Sequence, residues 1–210
     1  MKSIHLKWAV VLLLFIHASL LAWGATKHSP NLNEPAHLVA GVSHWEFGRF
    51  ELYRVNPPLV RMVAALPVLL SDAKYDWTGF YESTGARPVF GMGRQFIEIN
   101  GEKSIWYFTI ARWACIPFSL LGGFICYLWA KDLYGPIAGL FSLTLWCFSP
   151  NMLAHGQFFT PDCGATALGI TAAYCFWKWL CQPEWKLAII AGVVLGLAEL
   201  TKTTWAVGNY

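Results

Sequence analysis

The chain predicts an all-α fold: a polytopic transmembrane helix bundle of about five spans, with an extracytoplasmic first loop carrying interfacial helices. Three observations predict it. The 210 residues are 56% hydrophobic and 13% charged, against roughly 25% charged in an average soluble domain. The mean hydropathy is +0.45. The charges are also segregated: 16 of the 27 Lys, Arg, Asp and Glu residues lie in residues 24–104, while nine lie in 105–210.

The elements follow in chain order. A short basic start, Met1 to Lys7, precedes an apolar run near residues 8–23. At about sixteen residues this run is slightly short for a ~30 Å hydrocarbon core. Ala22-Trp23-Gly24-Ala25 loosely fits a signal-peptide cleavage pattern, but the further spans favour an uncleaved anchor. Residues 24–104 read as an external loop. Within them, Asn56-Pro57-Pro58 opens a stretch from Leu59 to Leu70 whose length suits a helix lying at the interface. The stretch from Ser71 to Lys103 is polar, with Gly and aromatics, and reads as an external loop. Further spans are expected near 105–130, 136–150, 163–181 and 187–207, with a second external loop over Asn151–Pro161. Short turns between them imply antiparallel neighbours.

Lys2, Lys7, Lys131, Lys178 and Lys186 all fall on one side of this arrangement. By the positive-inside rule that side is cytoplasmic, so the N-terminus is inside and the long first loop is outside. The twelve Trp, eight Tyr and fourteen Phe suit interfacial aromatic belts. The net charge of +3 is spread out, with no basic patch of the kind that binds nucleic acid. The six cysteines lie in or beside apolar runs with no CxxC spacing, so they read as small hydrophobes and not as a metal or disulfide framework.

Two acids stand out. Glu34 and Asp162 each follow an odd number of apolar spans, which puts both at one membrane face, where charge is costly to keep without a use. Glu34 also reads as an acid near a helix N-terminus. In Thr160-Pro161-Asp162, Thr160 suits an N-cap, Pro161 the first helical position and Asp162 the helix dipole. His37, three residues after Glu34, shares its face if the segment is helical. Arg112 sits inside a span, where a cation needs either a route to the interface or a partner: a lipid phosphate, Glu34 or Asp162. Glu199 and Lys202, three residues apart, are placed to neutralise each other.

Three segments resemble the polytopic GT-C-type glycosyltransferases, the protein O-mannosyltransferase and aminoarabinose-transferase relatives that use polyprenyl-phosphate sugars. They are Asn33-Glu34-Pro35-Ala36-His37 with Gly48 and Asn56-Pro57-Pro58-Leu59, then Ser149-Pro150-Asn151 through Ala154-His155-Gly156 to Thr160-Pro161-Asp162, and Gly196-Leu197-Ala198-Glu199-Leu200-Thr201-Lys202. The resemblance implies sugar transfer from a polyprenyl-phosphate donor to a lipid, glycan or protein acceptor, in the lipid bilayer of a bacterial inner membrane. It implies Glu34 as base and Asp162 as a second catalytic acid, with His37, Arg61, Arg112, His155 and Lys202 binding substrate. No metal is assigned, although a divalent ion bridged by Glu34 and Asp162 is conceivable. Many relatives carry Asp-Glu where this chain has Asn33-Glu34, so either Glu34 takes the role of that Asp or this copy is inactive. The resemblance covers only the N-terminal part of such an enzyme, and the apolar end at Tyr210 reads as a missing C-terminal remainder. The alternatives are an inactive fragment or other non-catalytic membrane protein and, further off, a transporter, for which paired broken helices are lacking.

Overall fold

A computed structural model describes residues 2–82 and 88–202. It is 79% helical, with ten helices and no strand among the described residues. The all-α membrane fold expected from composition is the fold found.

The first helix, α1 (Lys2–Ala25), is apolar around its circumference. Then come α2 (Glu34–Phe47), α3 (Leu59–Leu69), α4 (Thr78–Glu82) and α5 (Pro88–Asn100). The long α6 (Lys103–Tyr134) has 32 residues, about 48 Å at 1.5 Å per residue, so it outruns a ~30 Å hydrocarbon core. The remaining helices are α7 (Pro136–Phe148), α8 (Pro150–Gly156), α9 (Pro161–Cys181) and α10 (Trp185–Glu199).

Helices stand at all five places where the sequence calls for spans. By length and apolarity, α1 and α6 qualify alone, and α7 with α8 would make a third span bent by 56°. The bend falls at Ser149-Pro150, where proline removes a backbone donor. Helix α9 is long enough but diluted with Gly, Ala and Thr, and α10 has 15 residues. The end of the expected fifth span, 203–207, lies outside the described residues.

Helices also lie in the two stretches read as external loop. Residues 71–103 contain α4 and α5, and 151–161 contains most of α8. In α5 the buried residues Val89, Met92, Gly93 and Phe96 recur at helical spacing, so one face packs inward despite the polar composition. The interfacial stretch after Asn56-Pro57-Pro58 does form a helix, α3. It buries Val60, Arg61, Ala64, Ala65 and Val68 on one side.

Two cores result. One joins α2, α3, α5 and α6 through Leu38, Val39, Val68, Phe96, Tyr107 and Phe108, with Phe159 stacked on Phe108. The other joins α1, α6 and α7 through Val10, Tyr127, Leu143 and Cys147. Between the spans, His17 of α1 is fully buried. One ring nitrogen, Nδ1, lies 2.9 Å from the Cys147 carbonyl, and the other, Nε2, lies 2.9 Å from the Ser119 hydroxyl. The carbonyl can only accept, so Nδ1 carries the proton and Ser119 donates to Nε2. Such a bond satisfies polar groups that hydrocarbon leaves bare, and it ties α1 to α6 and to the α7–α8 bend.

Candidate functional site

The first acid is set by its local sequence. The Asn31 side-chain oxygen accepts from the Asn33 and Glu34 N–H groups, while Glu34 Oε2 accepts from the Asn31 N–H at 3.0 Å. This reciprocal pairing across three residues has the pattern of a capping box and fixes the turn that leads into α2, whose N-cap residue, Asn33, makes no side-chain capping bond. Pro35 occupies the first turn, and Gly48, at φ 63°, closes the other end by donating to the His44 carbonyl.

Arg112 of α6 completes the arrangement. Its Nε donates to Glu34 Oε1 at 2.9 Å and its Nη2 to Oε2 at 2.7 Å. Nη1 donates to the Ala25 and His28 carbonyls at 2.8 and 2.7 Å, and Nη2 also donates to that of Ser29 at 3.0 Å. The Phe158 ring covers the guanidinium at 5.0 Å. The side chains are 1% and 0% exposed. Of the partners open to Arg112 in sequence, the one it finds is Glu34. The bidentate pair clamps the α1–α2 connection against α6, and both carboxylate oxygens are already accepting.

The second acid lies at the same end of the bundle, where α9 begins. Thr160 is the N-cap residue by backbone conformation, without a side-chain capping bond, and Pro161 sits in the first turn. Asp162 Oδ1 accepts from Lys202 Nζ at 2.7 Å, and the two side chains are 46% and 32% exposed. Lys202 therefore pairs with Asp162, not with Glu199 as its sequence neighbour suggested. The end of α10 is also fastened to the start of α3, because the Leu59 N–H donates to the Leu200 carbonyl at 3.0 Å.

A second cation lies deeper. Arg61 is 3% exposed and forms no ion pair among the described residues. Its Nε donates to His44 Nε2 at 3.1 Å, and Nη2 donates to the Asn56 carbonyl. The Tyr53 ring lies 4.4 Å from the guanidinium carbon. His44 donates in turn from Nδ1 to the Arg49 carbonyl at 2.9 Å, which fixes its neutral tautomer. Helix α3 comes this close because Gly41 leaves room: a Cβ there would fall 2.2 Å from the Arg61 carbonyl oxygen.

His37, on the same face of α2 as Gly41 and His44, is 3% exposed and has no hydrogen-bond partner among the described residues. It packs on Tyr53 at 4.8 Å. Burial pushes its imidazole down to about 4; Arg61 pushes the same way and Asp162 opposes. His44 is likewise pushed down to about 4, chiefly by burial. Burial lowers the Arg61 guanidinium to about 10, so it stays charged at neutral pH. A narrow void joins these groups, lined by His37, Asn56, Pro57, Val60, Arg61, Phe159 and Pro161. The structure thus gathers His37, Arg61, Asp162 and Lys202 at one place, with Glu34 and Arg112 locked together beside it. His155 is exposed on α8 at the rim, close enough to bear on Asp162 electrostatically. Among the described residues, no group of three His, Cys, Asp or Glu side chains is placed to hold a metal ion.

Sequence reading missed His44, Tyr53 and Asn56 as the holders of Arg61. The signal for His44 was its spacing of seven from His37, two helical turns on one face. Nothing in the sequence pointed to the Asn56 carbonyl.

The family described as dolichyl-phosphate-mannose-protein mannosyltransferase matches residues 95–208, more than half of the chain. No curated protein and no solved structure matches it. The matched stretch takes in Arg112, His155, Asp162 and Lys202, and leaves out Glu34, His37 and Arg61.

Proposed function

Because the chain belongs to the dolichyl-phosphate-mannose-protein mannosyltransferase family of GT-C-type glycosyltransferases, we propose that it moves a sugar from a polyprenyl-phosphate carrier to an acceptor hydroxyl at the extracytoplasmic membrane face. The lysine pattern supports a cytoplasmic N-terminus.

One juxtaposition carries the reading. A half-exposed carboxylate, Asp162, and a buried guanidinium, Arg61, without an acid partner among the described residues, flank the neutral His37. A buried, unpaired cation is costly, and an anionic ligand would offset that cost. In the transfer, the bond between the sugar anomeric carbon and the phosphate oxygen breaks, and polyprenyl phosphate leaves with the electron pair. The acceptor oxygen bonds to the anomeric carbon through an oxocarbenium-like transition state, and Asp162 takes the acceptor's proton. Arg61 and Lys202 meet the charge that grows on the phosphate. His37 lines the phosphate side, and His155 the path of the acceptor.

Glu34, the first choice of base from sequence, has three donors on its two oxygens and no exposure. That supports a positioning role: with Arg112 it holds the loop from which α2 springs. A non-catalytic copy is favoured only by Asn33, which stands where many relatives carry Asp.

In the full-length protein, Asp162→Asn should lower transfer from a hexosyl- or pentosyl-polyprenyl phosphate by about 10²–10⁴-fold, the range lost with a general base. Its membrane level should not change. Undiminished transfer would remove Asp162 from the mechanism.

A further inference from the structure

The two cations near Asp162 differ in one respect that bears on how the site is switched on. Arg61 is fixed on three sides: by His44, by the Asn56 carbonyl and by the Tyr53 ring. Among the described residues Lys202 makes one bond, to Asp162, and its side chain is a third exposed. Its four-carbon stem leaves the end of α10, where the helix has closed into a turn at Leu200 and Thr201. A flexible ammonium of this kind is a mobile point charge, unlike a guanidinium held in a fork.

Asp162 is in turn compromised as a base while Lys202 holds it. A carboxylate accepting a charge-assisted bond from an ammonium is a weaker proton acceptor than a free one. The ion pair is partly solvated, and partly solvated pairs are worth little, so a competing anion exchanges them readily. The other groups around Asp162 do not take over the Lys202 role. Arg61 is held away by its own partners, His37 is neutral, and His155 approaches from α8 at the exposed rim.

We propose that the Asp162–Lys202 ion pair is a latch opened by the donor: the lipid-linked phosphate draws Lys202 off Asp162 and so makes the base available only once the donor is bound. This rests on the transferase reading above and adds an order to it, donor before acceptor. The logic is protective. A base left free beside an empty donor site offers water the same activation as an acceptor hydroxyl, whereas a latched one is released only when the phosphate charge is present to hold Lys202. Lys202 is thus a positioning residue for Asp162 and a phosphate ligand in succession, and its proton stays on throughout. No covalent step is needed to open the latch. The bond from Leu59 to Leu200 links the same turn to the Pro57-Pro58 entry of α3, so the phosphate cradle and the latch share a backbone connection.

The test uses the full-length wild-type protein in detergent and a water-soluble carbodiimide. The reagent condenses a carboxylate with an amine it already touches, giving an amide and releasing the reagent as a urea. Without lipid, Asp162 and Lys202 should be joined by this zero-length link, read by mass spectrometry of the linked peptide and absent in Lys202→Gln. Saturating polyprenyl phosphate should lower its yield by about tenfold, which corresponds to ~1.4 kcal/mol in a two-state equilibrium. Inorganic phosphate at the same concentration should leave it unchanged. Lipid binding is followed separately by the rise in melting temperature. If polyprenyl phosphate binds and the link forms in undiminished yield, the latch is wrong while the donor reading stands. If polyprenyl phosphate does not bind, the donor reading is wrong and the latch goes with it. An equal loss with inorganic phosphate would overturn a latch keyed to the lipid donor.

Discussion

Two of the acid–cation pairs in this protein, Glu34–Arg112 and Asp162–Lys202, have the same chemistry and opposite circumstances. Glu34 and Arg112 are sealed from solvent, joined by two parallel bonds, and further fixed by three backbone carbonyls and the Asn31 N–H. Asp162 and Lys202 share one bond and are a third to a half exposed. The comparison teaches that a charged residue beside a membrane span is not by its presence a reactive one. What separates an anchor from an exchangeable pair is how many lone pairs and donors remain uncommitted, and whether water can replace the partner.

The largest effect should come from breaking the sealed pair. Glu34→Ala or Arg112→Ala leaves a buried charge without its partner, which costs about 3–5 kcal/mol. The expected result is loss of folded protein from membranes and a large fall in melting temperature. Replacing both with methionine should recover part of that loss, because no charge is then stranded. If the single variants melt like wild type, the clamp is not structural and Glu34 returns as a candidate base.

Breaking the open pair should do the reverse. Asp162→Asn should change stability by at most about 1 kcal/mol, the ceiling for solvent-exposed ion pairs, while transfer collapses. Melting in detergent, set beside the transfer assay, sharpens the comparison. A variant that unfolds would make Asp162 a second anchor.

Arg61 lies between the extremes, sealed like Arg112 but without an acid among the described residues. Arg61→Met keeps the stem packed and removes the charge. It should raise the donor KM about tenfold or more, consistent with ~1.5–3 kcal/mol for a charged hydrogen bond. The acceptor KM should hardly move; a change confined to the acceptor would place the phosphate elsewhere.

The smallest effect is in pH. His37 and His44 are held near 4 by burial, against an ordinary value of 6.5. Between those values the unfolded chain binds more protons than the folded one, so their contribution to stability is intact above about 6.5 and declines as pH falls toward 4. Protonation of His44 also takes away the lone pair that accepts from Arg61. Melting temperature should therefore fall between pH 6.5 and 4, and less steeply in His44→Gln. Equal slopes would show that His44 titrates without consequence.

Much of the fold was written in composition and periodicity. The apolar runs fall on α1, α6, α7, α9 and α10, since a hydrocarbon-length run has few other fates, although α1 begins at Lys2, six residues before its run, and α10 ends at Glu199. Asn56-Pro57-Pro58 likewise announces α3. Helix α5 was obscured by Arg94, Glu98 and Gly residues that lower the average apolarity of a segment whose inner face is regular. The list of candidate residues was also legible, because charge near a membrane is rare enough to notice.

Roles within that list were not legible. Sequence alone determined that this is a helical membrane protein with two acids at one end of its bundle and a few cations to match them. Only the tertiary structure decided that Arg112 closes on Glu34 from 78 residues away, that Lys202 reaches Asp162 and not Glu199, and that Arg61 is buried with no acid partner among the described residues. The physical reason is that hydropathy and helical period are local properties of the chain. Burial and the pairing of charges depend on which helix faces meet, and in this protein those meetings join residues far apart in sequence.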